Sequence, residues 1–341
     1  MICLGIESTA HTFGVSIVRS NINTASYSKS TCEILSNEKD SYTTTSGGMI
    51  PRELAEHHYA CASRVVKKAL AKAEVTLNEI DLVAFSQGPG IGNALRCGAI
   101  TARQLALKNK VPLVGVNHCV AHVEIGRKLC NAIDPVLLYA SGANTQIICY
   151  ENGYYRVFGE TLDTGIGNFL DTFGRKLGLG FPAGPALDKM YFEGKELIEL
   201  PYTVKGMDLA FSGLLTSTER LIPQIGKKGL RKEDLVYSSL HNAFAMLTEV
   251  TERALAHTEK KEVILGGGVG CSKALQEMVG KMCEERGAKL FVPPNAVMTD
   301  NGAMIAWLGL LMHTKGKKSA LKSSSVMPRQ RTDDIKVTWR D

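Results

Sequence analysis

Two stretches of the chain share one pattern of apolar and polar positions. Leu4 to Val18 runs apolar, turns small and polar through Glu7-Ser-Thr-Ala-His-Thr12, then runs apolar again. Val136 to Cys149 does the same around Ser141-Gly-Ala-Asn-Thr145. Each predicts a strand, a tight polar turn and a second strand. They lie some 130 positions apart, which points to a duplicated unit. Short Ser, Thr and Gly turns let backbone N–H groups and hydroxyls approach an anion closely.

A third segment, Val263 to Met278, reads as strand, glycine loop and helix, with Gly267, Gly268 and Gly270 in the loop. Bare glycines admit a ligand to the backbone, and a helix N-terminus favours negative charge. Two polar hairpins followed by such a loop fit an actin/Hsp70/sugar-kinase architecture. In that α/β fold two similar lobes clamp a nucleotide.

Other apolar runs fill in the plan. Asp81 to Ser86 reads as a strand before the turn-rich Gln87-Gly-Pro-Gly-Ile-Gly92, and Val111 to Val116 as a strand leading into Asn117 and His118. Leu235, Leu240, Phe244, Leu247, Val250 and Leu255 keep helical spacing over 235–257. Residues 301–313 predict an apolar helix. The expected organisation is an N-terminal lobe, 1–130, joined by a C-terminal helix over about 303–325. A second lobe, 131–302, carries a helical insertion at about 160–232. The tail, 323–341, reads as an exposed, partly ordered strand or linker.

Composition changes this picture little. The chain has 341 residues, 44% hydrophobic and 22% charged, an ordinary globular balance at a length that suits two lobes. Nine cysteines without a CxxC pair predict reduced core thiols. The opening residues read as a strand rather than a signal segment, and no apolar run approaches the ~20 residues of a membrane span, so a soluble, cytoplasmic protein is expected. The net charge is +6. Basic runs at Lys67, Lys68 and Lys72, at Lys227, Lys228, Arg231 and Lys232, and at Lys315, Lys317, Lys318 and Lys322 permit a polyanionic partner as well as ordinary solvated faces.

Chemistry concentrates at His118-Cys-Val-Ala-His122. Residues i and i+4 share a helix face, so both imidazoles can reach one ion. Two ligand-free histidines are the other reading. The spacing matches the HExxH zinc-protease pattern, but Cys119 stands where that pattern has its general-base Glu. Two histidines do not complete a divalent site, and oxygen ligands are the natural supplement. Asp300 is a candidate for a ligand or a helix cap. Tyr139 is a candidate for a ligand or for packing.

These segments, in their order, resemble the universal tRNA threonylcarbamoyladenosine transferase family: bacterial TsaD and the catalytic subunit of the archaeal and eukaryotic KEOPS complex. The resemblance runs over nearly the whole chain. It rests on Gly5-Ile-Glu-Ser-Thr-Ala10, Pro51-Arg-Glu-Leu-Ala-Glu-His-His58, Ser86-Gln-Gly-Pro-Gly-Ile-Gly92 and Asn117-His-Cys-Val-Ala-His122. It continues through Gly159-Glu-Thr-Leu-Asp163, Gly206-Met-Asp-Leu-Ala-Phe-Ser-Gly213, Gly266-Gly-Gly-Val-Gly-Cys271, Asp300-Asn-Gly-Ala-Met304 and Arg331-Thr-Asp-Asp334. The closing Val337-Thr-Trp-Arg-Asp341 is similar to the archaeal and eukaryotic branch.

The resemblance implies transfer of a threonylcarbamoyl group from threonylcarbamoyl-AMP to N6 of the adenosine next to the anticodon. It implies metal ligation by His118, His122, Tyr139 and Asp300, with iron, or alternatively zinc, and a catalytic role for the two histidines. Tyr139, Ala140, Ser141, Gly142 and Ala143 match a substrate-binding loop. Asp171, Gly184, Asp188 and Ser272 match positions that hold the nucleotide (threonylcarbamoyl-AMP or ATP) and the acyl substrate. Ala143 replaces a usual glycine and narrows the backbone's approach. Ser272 replaces a usual Asn and loses reach. Asp188 stands where Glu is frequent.

The implied partners are tRNA, a small dimer-forming KEOPS subunit, a further regulatory subunit and a small atypical protein kinase, separate or fused at the C-terminus; no membrane is implied. A glycopeptidase-like metalloprotease, a sugar kinase of the same fold and an ATP-binding scaffold are the competing readings.

Overall fold

The computed structural model describes residues 1–22, 29–44, 49–227 and 229–340; Lys228 of the second basic run and the terminal Asp341 lie outside the described residues. Two five-stranded sheets repeat one plan. The first contains β1 (Ile2–Glu7), β2 (Thr12–Arg19), β3 (Glu33–Ser41), β4 (Leu82–Gly88) and β5 (Leu113–Asn117), in the order β3-β2-β1-β4-β5. The second contains β6 (Val136–Ala140), β7 (Thr145–Glu151), β8 (Tyr154–Glu160), β11 (Glu262–Gly266) and β12 (Lys289–Phe291), in the order β12-β11-β6-β7-β8. In both, three strands form an antiparallel meander and two later strands join in parallel. The repeat that the two polar hairpins suggested is thus a repeat of whole sheets. A two-stranded ribbon, β9 (Val204–Lys205) with β10 (Asp208–Leu209), stands apart.

The helices are α1 (Pro51–Lys72), α2 (Gly92–Asn109), α3 (His118–Cys130), α4 (Ile166–Lys176), α5 (Gly184–Tyr191), α6 (Ser212–Leu221), α7 (Lys232–Thr258), α8 (Lys273–Glu285), α9 (Asn295–Met298) and α10 (Gly302–Thr314). β1 and β2 are buried along nearly their full length, so both faces of the first sheet are covered and the strands read as apolar runs. α10 is buried from Gly302 to Met312 on every side. One apolar cluster joins Cys3, Leu82 and Val116 of the first sheet to Leu137, Ile148 and Ile264 of the second, with α3 and α10 contributing between them. α10 lies so close to β1 that a methyl group on Gly5 would collide with the Gly302 carbonyl.

The 160–232 segment, expected as a helical insertion, comprises α4, α5, α6 and the β9–β10 ribbon. Gly178, with a left-handed φ of 80°, and the Pro182 and Pro201 rings interrupt helix where periodicity alone would extend it. The last helix stops at Thr314 instead of running to about 325, because Lys315-Gly316 follows and Gly316 adopts a φ of 82°. The tail is no exposed linker. Val337 and Trp339 are buried, and Trp339 donates its indole N–H to Glu124 Oε1 on α3 at 2.7 Å. Of the basic residues on α1, Lys68 and Lys72 both pair with Glu38, at 2.6 and 2.7 Å. They are held as a structural knot on the first sheet.

His58 on α1 gives the fold a pH dependence. It is buried and donates from Nε2 to the Ala10 carbonyl at 3.0 Å. Burial, the main influence, holds its pKa down to about 4 from an ordinary 6.5. A histidine kept neutral in the fold takes up its proton more readily when unfolded. Its contribution is therefore fully present above about pH 6.5 and is lost as pH falls from 6.5 towards 4. The window is worth about 3 kcal/mol at most. His58→Gln keeps a donor for Ala10 and should flatten the slope of unfolding free energy against pH between 4 and 6.5. An unchanged slope in urea titrations would refute this assignment.

Candidate metal centre and its surroundings

Asn117 ends β5 and caps α3, its side chain accepting from Val120 N at 3.1 Å. The cap fixes where the helix starts and so fixes the phase of His118 and His122. Both imidazoles point inward from a helix wedged between the sheets, and both are buried. Their ring centroids are 4.8 Å apart. Asp300, on the turn before α10, brings Oδ1 to 3.5 Å from Nε2 of each histidine. One donor atom from each of the three residues falls within 4.8 Å of the others, a grouping that can hold a metal ion. Tyr139, on β6 of the second sheet, places its hydroxyl 2.8 Å from His118 Nε2. Four residues from three parts of the sequence thus converge.

The fit to a cation shows in one atom. His122 Nε2 is buried with no hydrogen-bond partner. Its approach to Asp300 is an ion-pair distance and not a made hydrogen bond. Buried polar nitrogens are normally satisfied, so this one is explained by a ligand that accepts its lone pair. Two imidazole nitrogens, a carboxylate and a phenol oxygen form a mixed N/O set suited to iron or zinc.

Glu7 at the end of β1 organises His118. The carboxylate is fully buried and its Oε2 lies 3.0 Å from His118 Nδ1. Its other oxygen accepts from Thr9 N at 2.6 Å and from the Thr9 hydroxyl. With the proton on Nδ1 donated to Glu7, the Nε2 lone pair is directed at the centre. Burial works to lower the His118 pKa, but the charge and hydrogen bond of Glu7, with Asp300, carry it up to about 9, so a cation at the centre would take the place of the Nε2 proton. His122 lacks such a neighbour, and burial lowers it. Burial would raise Asp300, but His122 and His118 beside it hold its carboxyl well below the usual carboxylate range. Burial, then nearby negative groups, pushes the Tyr139 phenol well above its usual value. Cys119, where a zinc protease would carry its Glu, is a buried thiol pushed up to about 12, chiefly by burial. It is no base at neutral pH.

The polar hairpin and the glycine loop meet beside this centre. Gly266 pairs with Tyr139 across β11 and β6. Gly267 follows with a φ of 85°, and any side chain there would strike the Ala140 carbonyl. Ser141 turns the hairpin, its N–H and hydroxyl both bonding the Asn144 carbonyl at 3.0 and 2.9 Å. Gly142 and the exposed Ala143 lie over Gly165 and Gly167 at the start of α4. Gly268 faces open space, whereas Gly270 is buried against Met298.

Ser272 caps α8, accepting from Leu275 N at 3.2 Å, and donates to Asp188 Oδ1 at 2.5 Å. Asp188 also accepts from Lys273 N at 3.1 Å. The two are therefore brought together, each with its polar atoms partly engaged by the other and by the helix. Asp171 accepts from Ala183 N at 2.8 Å, and burial raises its pKa. Gly184 opens α5 with free space around its Cα. Glu7, Thr9 and Asn117 are the residues the sequence did not single out. The available signal was a carboxylate inside an otherwise apolar strand.

The family described as TsaD, tRNA N6-adenosine threonylcarbamoyltransferase, matches residues 32–307. A tRNA N6-adenosine threonylcarbamoyltransferase of Thermococcus kodakarensis is 52% identical over 339 residues, covering 99% of this chain and all of that protein. A probable bifunctional tRNA threonylcarbamoyladenosine biosynthesis protein of Methanocaldococcus jannaschii is 50% identical over 339 residues. The match covers 99% of this chain but 60% of that protein.

Among solved structures, HypF of T. kodakarensis aligns at a TM-score of 0.62 and 15% identity, covering 92% of this chain and 48% of that one. The ADPNP-bound activator of 2-hydroxyisocaproyl-CoA dehydratase from Clostridium difficile aligns at 0.56 and 11% identity, covering 94% of this chain and 100% of that one. At these identities the likeness is one of fold, the two-lobed α/β plan read from the paired hairpins. No described helix is long and apolar enough to cross a membrane. With half its residues shared with named relatives along almost its full length, the chain belongs to the tRNA N6-adenosine threonylcarbamoyltransferase family.

Proposed function

We propose that this protein transfers a threonylcarbamoyl group from threonylcarbamoyl-AMP to N6 of the adenosine next to the anticodon in tRNA, using a divalent metal. His118, His122, Tyr139 and Asp300 would hold the metal. The observation that carries this reading is the convergence of those side chains, with an orphaned His122 Nε2, beside the hairpin and the glycine loop. A bound metal supplies Lewis acidity that polarises and orients the acyl group. Iron or zinc suits the donors, and iron is the first choice on family grounds.

The chain's own residues do the rest. The turn at Ser141–Ala143 and the Gly267–Gly270 loop present backbone to the donor's AMP portion. Asp171, Gly184, Asp188 and Ser272 are the residues proposed to hold the rest of the donor. The reaction forms a bond from N6 to the carbamoyl carbon, breaks the bond from that carbon to the phosphate oxygen, and releases AMP; N6 gives up one proton. Glu7 keeps the His118 proton on Nδ1, away from the centre. α3, immobilised between the sheets, keeps both imidazoles in place without reorganisation.

A KEOPS-type assembly, with a small dimer-forming subunit, an atypical kinase and a regulatory subunit, is the proposed setting. Bifunctional relatives that run on well past the matched region fit a second activity on the same polypeptide.

Mass spectrometry of nucleosides from tRNA incubated with threonylcarbamoyl-AMP, this protein and its partners tests the function. Threonylcarbamoyladenosine should form only when the protein is present. Equal product without it would end the proposal. Elemental analysis of the same preparation separates iron from zinc.

A further inference from the structure

A cavity lies between the β6–β7 hairpin and the tail, apart from the glycine loop. It measures about 220 Å³, and six of its lining residues carry polar groups: Asn144, Gln146, Arg329, Gln330, Arg331 and Thr332. That is below the roughly 300–1,000 Å³ of pockets that enclose drug-sized molecules, so its scale suits a single ring system. Its place is fixed by the sheet. Gln146 on β7 is the direct cross-strand partner of Tyr139 on β6. Opposed residues of an antiparallel pair project from the same face, with Cβ atoms ~5 Å apart. A group held by Gln146 therefore sits one side chain away from Tyr139.

Two more contacts tie the cavity to α3. Asn144 Nδ2 lies 4.0 Å from Cys119 Sγ. Asn117 Nδ2 reaches Gln330 Oε1 at 3.4 Å and the Arg331 carbonyl at 3.3 Å.

The amides in this cavity are weakly engaged. Gln146 Oε1 accepts from the Thr332 hydroxyl at 3.4 Å, and its Nε2 donates to Glu160 at 3.2 Å. Gln330 Nε2 has only a sulfur acceptor, Met327 Sδ, at 3.7 Å. The bonds at 3.4 and 3.7 Å are long and readily exchanged for better ones, and the Gln146 amide has a second N–H beside the one it gives Glu160. A primary amide is the side-chain group that pairs with adenine in two places at once, accepting from N6 and donating to N7. Arg329 at the rim is exposed and has no hydrogen-bond or ion-pair partner among the described residues, so it is open to a backbone phosphate. Arg331 is occupied by Asp333 at 2.9 Å.

We infer that this cavity receives the acceptor adenine, splayed out of its RNA loop, with Gln146 and Gln330 reading its N6/N7 edge and Arg329 meeting the adjoining phosphate. Enzymes that act on a base in structured nucleic acid extrude it into a fitted pocket, and single-stranded loop bases are the ones proteins read by their edges. Recognition at N7 and one N6 hydrogen leaves the second N6 hydrogen and the nitrogen facing Tyr139 and the metal centre. The inference rests on the proposed acyl transfer to N6 and adds the site that selects the acceptor.

The test uses two anticodon stem–loop RNAs, alike except for adenosine or purine riboside at the acceptor position. Purine riboside lacks the 6-amino group. Fluorescence anisotropy measures their binding to the metal-loaded protein with its partners, without donor. The wild type should prefer the adenosine RNA by about tenfold, the scale of one two-point amide–base contact. Gln146→Leu and Gln330→Leu should each erase most of that preference while leaving metal content and the KM for threonylcarbamoyl-AMP unchanged. Arg329→Ala should weaken both RNAs alike. Gln330 lies on a surface turn, so its variant carries the test if Gln146→Leu does not fold. No preference in the wild type would overturn the inference, as would a preference that survives in the folded glutamine variants. Failure of the proposed function would look different: the base preference would stand while no modified nucleoside formed on full-length tRNA.

Discussion

Asp300→Ala protein is expected to bind its metal at least about 100-fold more weakly than the wild type and to lose detectable transfer. Even residues that only orient metal ligands cost 10–100-fold in affinity when removed, and a direct ligand costs more. Asp300 supplies the carboxylate between the two imidazoles, 3.5 Å from each. Without it the buried His118 and His122 have one anionic neighbour fewer, and cation binding loses its charge compensation. Asp300→Asn keeps the shape and removes the charge, so it separates ligand geometry from electrostatics. Elemental analysis after dialysis against a weak chelator gives the metal stoichiometry, and single-turnover transfer gives the activity. Wild-type metal content in both variants would mean that Asp300 is only a turn residue.

Glu124→Leu should destabilise the fold by about 3–5 kcal/mol, the range for removing one partner of a buried ion pair. Glu124 is fully buried on α3, two residues beyond His122. Its Oε2 accepts from Arg127 at 2.8 Å, its Oε1 from the Trp339 indole at 2.7 Å and from the Tyr155 hydroxyl. The substitution takes the carboxylate from a buried guanidinium that keeps the Ile133 carbonyl, and removes the acceptor of two aromatic donors in one step. Glu124→Gln retains an acceptor and should cost markedly less. Urea unfolding of both variants decides the matter; a loss under about 1 kcal/mol for Glu124→Leu would show that the network relaxes without it.

How much of this was legible in the sequence varies by residue. The two hairpins were readable because a small polar turn between apolar runs has few alternative structures. His118 and His122 were readable because helical spacing alone puts them on one face. Asp300 and Tyr139 as partners were not: 161 residues separate them, and only the packing of α10 and β6 about α3 brings them together. Residue by residue they were only candidates, each with a plainer reading; the family resemblance made them a set with the histidines. Glu7 was hidden for the opposite reason, since a single carboxylate in a strand says nothing until its partner histidine is in place. The tail was misread because Val337 and Trp339 are isolated apolar residues among polar ones. Trp339 is held by Glu124 and the Val337 N–H by the Gly153 carbonyl, both far away in the sequence.

The position of α10 has a consequence for how the protein comes into being. β1 leaves the ribosome well ahead of the helix that covers it, which ends at residue 314. At ~5–20 residues per second, translation from residue 130 to the end of α10 takes roughly ten to forty seconds. Throughout that interval the first sheet has an open apolar face, because Cys3, Val18 and Ala84 wait for Ile305, Trp307 and Leu308. The nascent chain therefore passes through a long stage in which the strands of the first sheet are sticky and α3 lacks its α10 neighbour. For this protein the burden of quality control falls before synthesis ends.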